Sequence, residues 1–129
     1  MKKSLWMLSI FGFVAVFGGA QAAQAATACF DWDCTAGGGY CTFNASCSSA
    51  TPYVWKYNFS SWGDGTAGTG LTGNPTQVHN YGSTGPAYPT VTMTIYFFDA
   101  PYSKTVSCDI VTRNVVGPPL PLYGRCSAS

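Results

Sequence analysis

Glutamate is absent from this sequence of 129 residues, and charged residues of all kinds make up only 9% of it. A solvated helical protein normally covers its exposed faces with charge, so this composition argues against that class. Six Lys and Arg residues stand against five Asp residues, which is too even a balance for a basic surface. We therefore expect no nucleic-acid partner, because such a partner requires a basic face.

Histidine is nearly absent as well, since His79 is the single imidazole of the chain. A hydrolase needs a nucleophile with a general base, or a pair of carboxylates. With one histidine and scattered aspartates, the sequence predicts no catalytic residues, and we interpret the protein as not an enzyme. The ordinary expectation for His79 is packing or hydrogen bonding near a turn formed by Gly63, Asp64 and Gly65, in which Asp64 accepts backbone N–H bonds.

Long apolar runs are missing except at the N-terminus. Lys2 and Lys3 precede an apolar stretch over residues 5–17, and Ala23-Gln24-Ala25 follows with a small-x-small pattern. The run is shorter than the roughly 20 residues that span a bilayer. These features predict a signal peptide over residues 1–25, a secreted or periplasmic protein, and no membrane span in the mature chain. An N-terminal membrane anchor is the alternative.

Cysteine occurs six times, always beyond residue 25. An even number in a short exported chain indicates a disulfide framework. The absence of Cys-x-x-Cys spacing and the single histidine argue against zinc. Cys34 and Cys41 flank a glycine-rich turn, which predicts a disulfide across a hairpin. Lipidation of Cys29 is a further alternative, because the residues before it loosely resemble a lipobox that lacks its leucine.

Alternation of apolar and polar residues predicts about seven short strands and an all-β, antiparallel β-sandwich. The first strand, Cys29–Cys34, is expected at a sheet edge. The most regular strand runs over residues 88–98, with Val91, Met93, Ile95 and Phe97 on one face. An earlier strand is predicted to turn an aromatic row toward the core, namely Tyr53, Trp55, Tyr57 and Phe59.

Prolines cluster near the C-terminus at positions 118, 119 and 121. Proline cannot donate to a strand ladder, so this stretch cannot continue a central strand. The sequence thus predicts a domain over residues 26–116 and an extended proline-rich tail over residues 117–129, with Cys126 holding the tail to the domain.

Residues 29–113 resemble the PKD (polycystic kidney disease) domain family, an immunoglobulin-like β-sandwich. The resemblance is carried by four stretches in the family's order: Phe43-Asn44-Ala45-Ser46, Tyr57-Asn58-Phe59 with Gly63-Asp64-Gly65-Thr66, Val78-His79-Asn80-Tyr81, and Tyr88-Pro89-Thr90-Val91-Thr92-Met93-Thr94-Ile95. It implies an immunoglobulin-like fold, in which the following are turn or structural residues: Gly63, Asp64, Gly65, His79 and Tyr81.

Ser60-Ser61-Trp62 departs from the family pattern, which runs directly from Phe into Gly-Asp-Gly. Either these residues are inserted as a bulge, or Trp62 takes the Phe position and the strand shifts register. The resemblance also bears on the cysteines, because bacterial secreted members often carry a pair where Cys34 and Cys41 stand. An immunoglobulin-like order makes two further pairs possible, Cys29 with Cys47 and Cys108 with Cys126.

The sequence predicts a protein without cofactors. Calcium binding is an open alternative, because some PKD domains bind calcium. The available carboxylates are Asp31, Asp33, Asp64 and Asp99. Calcium requires six to eight oxygen ligands, usually from clustered acids. The sequence offers only the pair Asp31-x-Asp33, so we expect no metal site.

Aromatic residues are the best functional signal, since they make up 16% of the sequence. That is too many for one small core, and exposed aromatics on a rigid sheet bind sugars or protein partners. Trp62 and Tyr102 are the candidate ligand-binding residues because both lie at predicted turns. The sequence predicts a non-catalytic extracellular binding or adhesion module for protein or polysaccharide. The alternative is a structural subunit of a surface layer or filament.

Overall fold

The computed structural model describes residues 26–36, 38–50, 53–98, 102–115 and 117–128. In these ranges the chain forms seven strands and one 3₁₀ turn, Ala45–Cys47. The strands are β1 (Ala28–Cys34), β2 (Tyr40–Asn44), β3 (Val54–Ser61), β4 (Thr76–Asn80), β5 (Thr90–Phe97), β6 (Ser103–Asp109) and β7 (Tyr123–Ala128). None of the described residues belongs to a helix with the length and apolarity needed to cross a membrane. The predicted signal peptide over residues 1–25 and the calcium candidate Asp99 lie outside the described ranges.

The strands form two antiparallel sheets that pack face to face. Four strands make one sheet in the order β4-β2-β1-β7, and three make the other in the order β3-β5-β6. The predicted all-β, disulfide-stapled sandwich is confirmed. The three-stranded sheet has the strand order of the C-F-G sheet in immunoglobulin domains. The four-stranded sheet differs, because its last strand in sequence flanks its first.

The C-terminal strand β7 corrects the predicted domain boundary. Residues 117–129 were expected to form a tail beside the domain, but β7 is an integral strand that pairs with β1 from Ala28↔Ala128 to Asp33↔Tyr123. Because β7 occupies that side, β1 is an interior strand rather than the predicted edge strand. The prolines at positions 118, 119 and 121 cannot donate to a strand ladder, but they do not prevent a strand from starting after them.

Phenylalanines from both sheets form the centre of the core. Phe30 and Phe43 from one sheet and Phe59 from the other are fully buried, with ring centroids 5.8 to 5.9 Å apart. The predicted inner face of β5 is confirmed, since its alternating apolar side chains are buried or pack against the core: Val91, Met93, Ile95 and Phe97.

Strand β3 departs from its predicted alternation. A register shift between Val54 and Lys56 turns Val54 and Tyr57 toward the core and Trp55 toward solvent. Trp55 is 46% exposed and Tyr53 is 60% exposed. The prediction that both belong to a core-facing row is therefore wrong. An irregularity of this kind inserts or shifts one residue and so exchanges the two faces of a strand.

A second register shift, between Phe59 and Ser61, accounts for the burial of Trp62. Residues three apart point to opposite faces of a regular strand. Here Phe59 and Trp62 are both buried and stack at 5.3 Å with an interplanar angle of 10°. Trp62, at 4% exposure, is thus a core residue, and its predicted role as an exposed ligand-binding side chain is wrong.

Three disulfides staple the sandwich in the expected pairs, Cys29–Cys47, Cys34–Cys41 and Cys108–Cys126. Cys34 and Cys41 face each other directly across the β1–β2 hairpin. Cys108 lies in β6 and Cys126 in β7, so that bond joins the two sheets. Cys29 has no free thiol, which removes the lipidation alternative considered above.

Candidate functional site

The turn that follows β3 is organised by the carboxylate of Asp64. Its Oδ1 accepts hydrogen bonds from the backbone N–H of Thr66 at 3.1 Å and from the Thr66 hydroxyl at 2.6 Å. Its Oδ2 lies 2.7 Å from Nε2 of His79 on β4. Gly63 and Gly65 adopt positive φ values of 84°, which the turn requires and glycine adopts readily. The expected placement of His79 beside the Gly-Asp-Gly turn is confirmed.

Aromatic rings hold His79 on both sides. Its imidazole stacks on Trp62 at 4.6 Å with an angle of 8°, and Tyr81 meets it edge-on at 4.6 Å. The Tyr81 hydroxyl donates a hydrogen bond of 2.7 Å to the Trp62 carbonyl. Burial, aided by the nearby Asp64 carboxylate, raises the pKa of Tyr81 far above its usual value, so the phenol stays protonated as a donor. This group of side chains closes one end of the sandwich.

The geometry around His79 differs from that of a nucleophile–base–acid relay. In such a relay, the acid binds one ring nitrogen and the nucleophile the other. Here Asp64 and the Thr66 hydroxyl both approach Nε2, at 2.7 and 3.3 Å. Burial tends to raise the pKa of Asp64, but the hydrogen bonds from Thr66 and His79 outweigh it and leave the pKa lowered. The arrangement therefore suits an ionised structural carboxylate.

Two of the carboxylates considered for calcium, Asp31 and Asp64, have other partners. Asp31 accepts two hydrogen bonds from Arg125, at 2.6 and 2.9 Å, and Asp64 is bonded to His79. Across the described ranges, one group of three potential ligand side chains comes within reach of a single ion, formed by Cys29, Asp31 and Cys47. Its two sulfurs are joined in a disulfide and cannot act as thiolate ligands. We assign no cation to these residues.

An exposed aromatic cluster lies at the other end of the sandwich, where β3 begins and β5 ends. It consists of Tyr53, Trp55 and Phe98, which we call the aromatic cluster. The Phe98 ring lies 4.8 Å from Tyr53 and 6.1 Å from Trp55, at angles of 67° and 51°. Phe98 is 50% exposed, and Nζ of Lys56 stands 5.8 Å from the Trp55 ring. Three large rings are thus held together at the surface by their own contacts.

Tyr102, the second ligand-binding candidate from the sequence, lies at this same end. It precedes β6, is 52% exposed, and stacks on Phe97 at 5.9 Å. The structure therefore places Tyr102 near the aromatic cluster and Trp62 in the core at the opposite end. One sequence signal for the cluster was available: Phe97 and Phe98 are adjacent in a strand pattern, so both cannot face the core.

A shallow cavity of about 350 Å³ adjoins the aromatic cluster through Tyr53. Its lining consists of Ser48, Ser49, Ala50, Tyr53, Val54 and Tyr57. Burial raises the pKa of Tyr57, which keeps its hydroxyl protonated. The Ser48 hydroxyl is already engaged, because it donates to the Cys29 carbonyl at 2.7 Å. Among the described lining residues, two are tyrosines and none carries a charge.

Compared with family models, with curated proteins and with solved structures, the chain matches none. The PKD resemblance therefore stays a prediction from the sequence. What the protein does is inferred from the aromatic cluster and its surroundings.

Proposed function

We propose that this protein is an exported, non-catalytic binding module that holds a protein partner through the aromatic cluster. The observation that carries the proposal is the exposure of Tyr53, Trp55 and Phe98, at 60%, 46% and 50%, in one contiguous group. Monomeric soluble proteins rarely expose large contiguous apolar patches without a binding role. Trp and Tyr are also the residues that most often dominate the energy of an interface.

The tilt of the rings favours a protein partner over a polysaccharide. Stacking on the flat faces of a sugar chain is served best by rings that lie in one plane. Phe98 instead meets its two neighbours at 67° and 51°. Rings at such angles form clefts that accept a side chain or a proline ring from a protein.

Export is supported by the three disulfides and by the predicted signal peptide over residues 1–25. Disulfides of this density are typical of small domains that fold in an oxidising compartment. A role without catalysis is supported by the position of His79, since Asp64 binds the same ring nitrogen that the Thr66 hydroxyl approaches.

Retention on immobilised collagen, cellulose and chitin tests the proposal. Collagen presents extended proline-rich chains, a form of protein that aromatic surfaces recognise. We expect retention on collagen but not on the two polysaccharides. Tyr53→Ala and Trp55→Ala should abolish it, whereas Tyr88→Ala, which removes an exposed aromatic outside the cluster, should not. Retention on cellulose or chitin that depends on Trp55 would instead assign a polysaccharide ligand, and failure on all three supports would reject the proposal.

Tryptophan fluorescence gives an independent measure of contact at the cluster. Among the described residues, Trp32 and Trp62 are buried at 8% and 4% exposure, while Trp55 is 46% exposed. A soluble quencher should therefore act mainly on Trp55, and a bound partner should protect it. Protection of Trp55 in the wild-type chain that is lost in Tyr53→Ala, a variant that should no longer be retained, would locate the partner at the aromatic cluster.

A structural subunit remains the second candidate function, because the opposite end of the sandwich exposes a proline-rich stretch. Residues 117–121 are all exposed, and Leu120 is 46% exposed. An exposed segment of this kind is a docking element for another molecule.

A further inference from the structure

The stretch Pro118-Pro119-Leu120-Pro121, here called the proline segment, has the chemistry of a docking ligand. Proline fixes its own φ near −65°, and a residue that precedes proline is driven to extended backbone. Pro118 and Leu120 each precede a proline. The segment thus favours the polyproline II conformation, with prolines at the first and fourth positions as in Pro-x-x-Pro ligands.

Hydrogen bonds hold the proline segment in place before any partner arrives. The Leu120 N–H donates to Oδ1 of Asn114 at 2.7 Å, and Nδ2 of Asn114 donates to the Leu120 carbonyl at 3.3 Å. Immediately after the segment, the Leu122 carbonyl accepts a 2.7 Å bond from the N–H of Cys34. A ligand that is already ordered loses less conformational entropy on binding, so its contacts contribute more to affinity.

The proline segment and the aromatic cluster lie at opposite ends of the sandwich. Leu122 is bonded to Cys34 at the end of β1, whereas Thr27, just before β1, pairs with Ser49. Ser49 lines the cavity that Tyr53 also lines. The seven residues of β1 therefore separate the two features by roughly 20 Å. One molecule cannot place its own segment on its own cluster, but a second copy can supply it.

We propose that the aromatic cluster binds the proline segment of a second copy of this chain, so that copies assemble head to tail. This inference rests on the proposed function and names the partner of the same site. Recognition of polyproline II by surface aromatics supplies the chemistry, because proline rings fit between aromatic side chains. A pair joined in this way keeps one free cluster and one free segment, on different copies, so the contact does not close and generates linear assemblies.

The charges on the chain permit such assembly. Beyond residue 25 the sequence carries four basic and five acidic side chains: Lys56, Lys104, Arg113 and Arg125 against Asp31, Asp33, Asp64, Asp99 and Asp109. Copies with so small a net charge repel one another weakly. The proline segment itself is uncharged, so it brings no ionised group of its own that would have to be desolvated at the rings.

The test is sedimentation of the protein, purified after export, over a series of concentrations. We expect the wild-type chain to pass from monomer through dimer to longer species. Trp55→Ala and the double variant Pro118→Ala/Pro121→Ala should each stay monomeric throughout. Tyr88→Ala and Pro86→Ala, which change an exposed aromatic and an exposed proline elsewhere, should assemble like wild type. Near-UV circular dichroism checks that every variant is folded.

Mixing the two defective variants makes the test specific. Trp55→Ala keeps an intact proline segment, and the double proline variant keeps an intact cluster, so together they have one working interface. The mixture should form a one-to-one dimer and nothing longer.

Three results would overturn the inference: a wild-type chain that stays monomeric at every concentration, assembly that neither variant reduces, or a mixture that fails to dimerise while wild type assembles. In each case, retention of the protein on collagen that depends on Trp55 would still support the proposed binding function.

Discussion

His79 and Asp64 join the two sheets through a single contact of 2.7 Å between Nε2 and Oδ2. Asp64 follows β3 of the three-stranded sheet, whereas His79 belongs to β4 of the four-stranded sheet. Both side chains are largely shielded from solvent, at 10% and 14% exposure. The bond is therefore a polar clasp at the end of the sandwich opposite the aromatic cluster, and its strength depends on the ionised state of Asp64.

Acid should weaken this clasp. The pKa of Asp64 is lowered from 3.8, because hydrogen bonds from Thr66 and His79 outweigh the opposing effect of burial. A carboxyl with a lowered folded pKa stabilises the fold fully above its unfolded pKa, and that contribution is lost as the pH falls through the folded value. We expect the free energy of unfolding, measured by urea titration, to drop below about pH 4.

Variants separate the effect of Asp64 from that of Asp31, a second carboxyl with a lowered pKa. Asp64→Asn should lower stability at neutral pH by about 2 kcal/mol and flatten the acid dependence. Asp31→Asn removes an exposed ion pair with Arg125 and should change stability by under about 1 kcal/mol. Equal effects of the two variants would contradict the clasp.

Trp62→Ala should lose stability, whereas Trp55→Ala should lose binding and keep its stability. Trp62 is buried against Phe43 and Phe59, so Trp62→Ala should reduce the free energy of unfolding by about 3–5 kcal/mol. Trp55 is half exposed, and Trp55→Ala should stay within about 0.5 kcal/mol of wild type. Chemical denaturation followed by circular dichroism measures both. A stable Trp62→Ala variant would show that this position is not part of the core.

Gly63 and Gly65 form a matched pair with the same φ of 84°. A Cβ at Gly63 would lie 2.6 Å from the backbone N and O of Thr90, while a Cβ at Gly65 would meet nothing within 4 Å. Gly65→Ala should therefore cost only the backbone strain, about 1–2 kcal/mol. Gly63→Ala carries the same strain plus a clash with β5 and should lower the melting temperature further. The reverse order of melting temperatures would contradict the packing of this turn on β5.

The disulfides should contribute unequally. Cys108–Cys126 closes a separation of 18 residues, and Cys34–Cys41 closes one of 7. Loop-closure entropy alone makes removal of the first more costly by about 0.8 kcal/mol. Cys108–Cys126 also ties the two sheets, whereas Cys34 and Cys41 lie on neighbouring strands already paired by hydrogen bonds. Denaturation of the two Cys→Ala double variants measures the difference, and a costlier loss of Cys34–Cys41 would count against this reasoning.

Regular alternation made part of this fold predictable. Strand β5 follows a strict period of two, so its buried face could be identified from sequence, and a glycine turn brought Cys34 opposite Cys41. The aromatic cluster could not be found in this way. The register shift after Val54 exchanges the faces of β3, and it depends on pairing with β5 rather than on local residue types.

Strand β7 was missed for a different reason. The prolines before it suggested that the ordered domain had ended, and Gly124 weakened its strand pattern. In the structure, a Cβ on Gly124 would come within 3.0 Å of the Trp32 ring, so glycine there makes room for the indole. Close packing against a residue far away in sequence gives no local signal. The same long-range context places Trp62 inside and Trp55 outside.

The pairing of Ala28 with Ala128 has a consequence for the order of events during synthesis. As the chain emerges, β1 can pair with β2 early, but its other side has no partner until the last strand is made. Cys29–Cys47 and Cys34–Cys41 can both close without that strand, so they can hold an incomplete sheet in the interval. Cys108–Cys126 cannot close until β7 has been made, so it cannot help to hold the incomplete sheet in that interval.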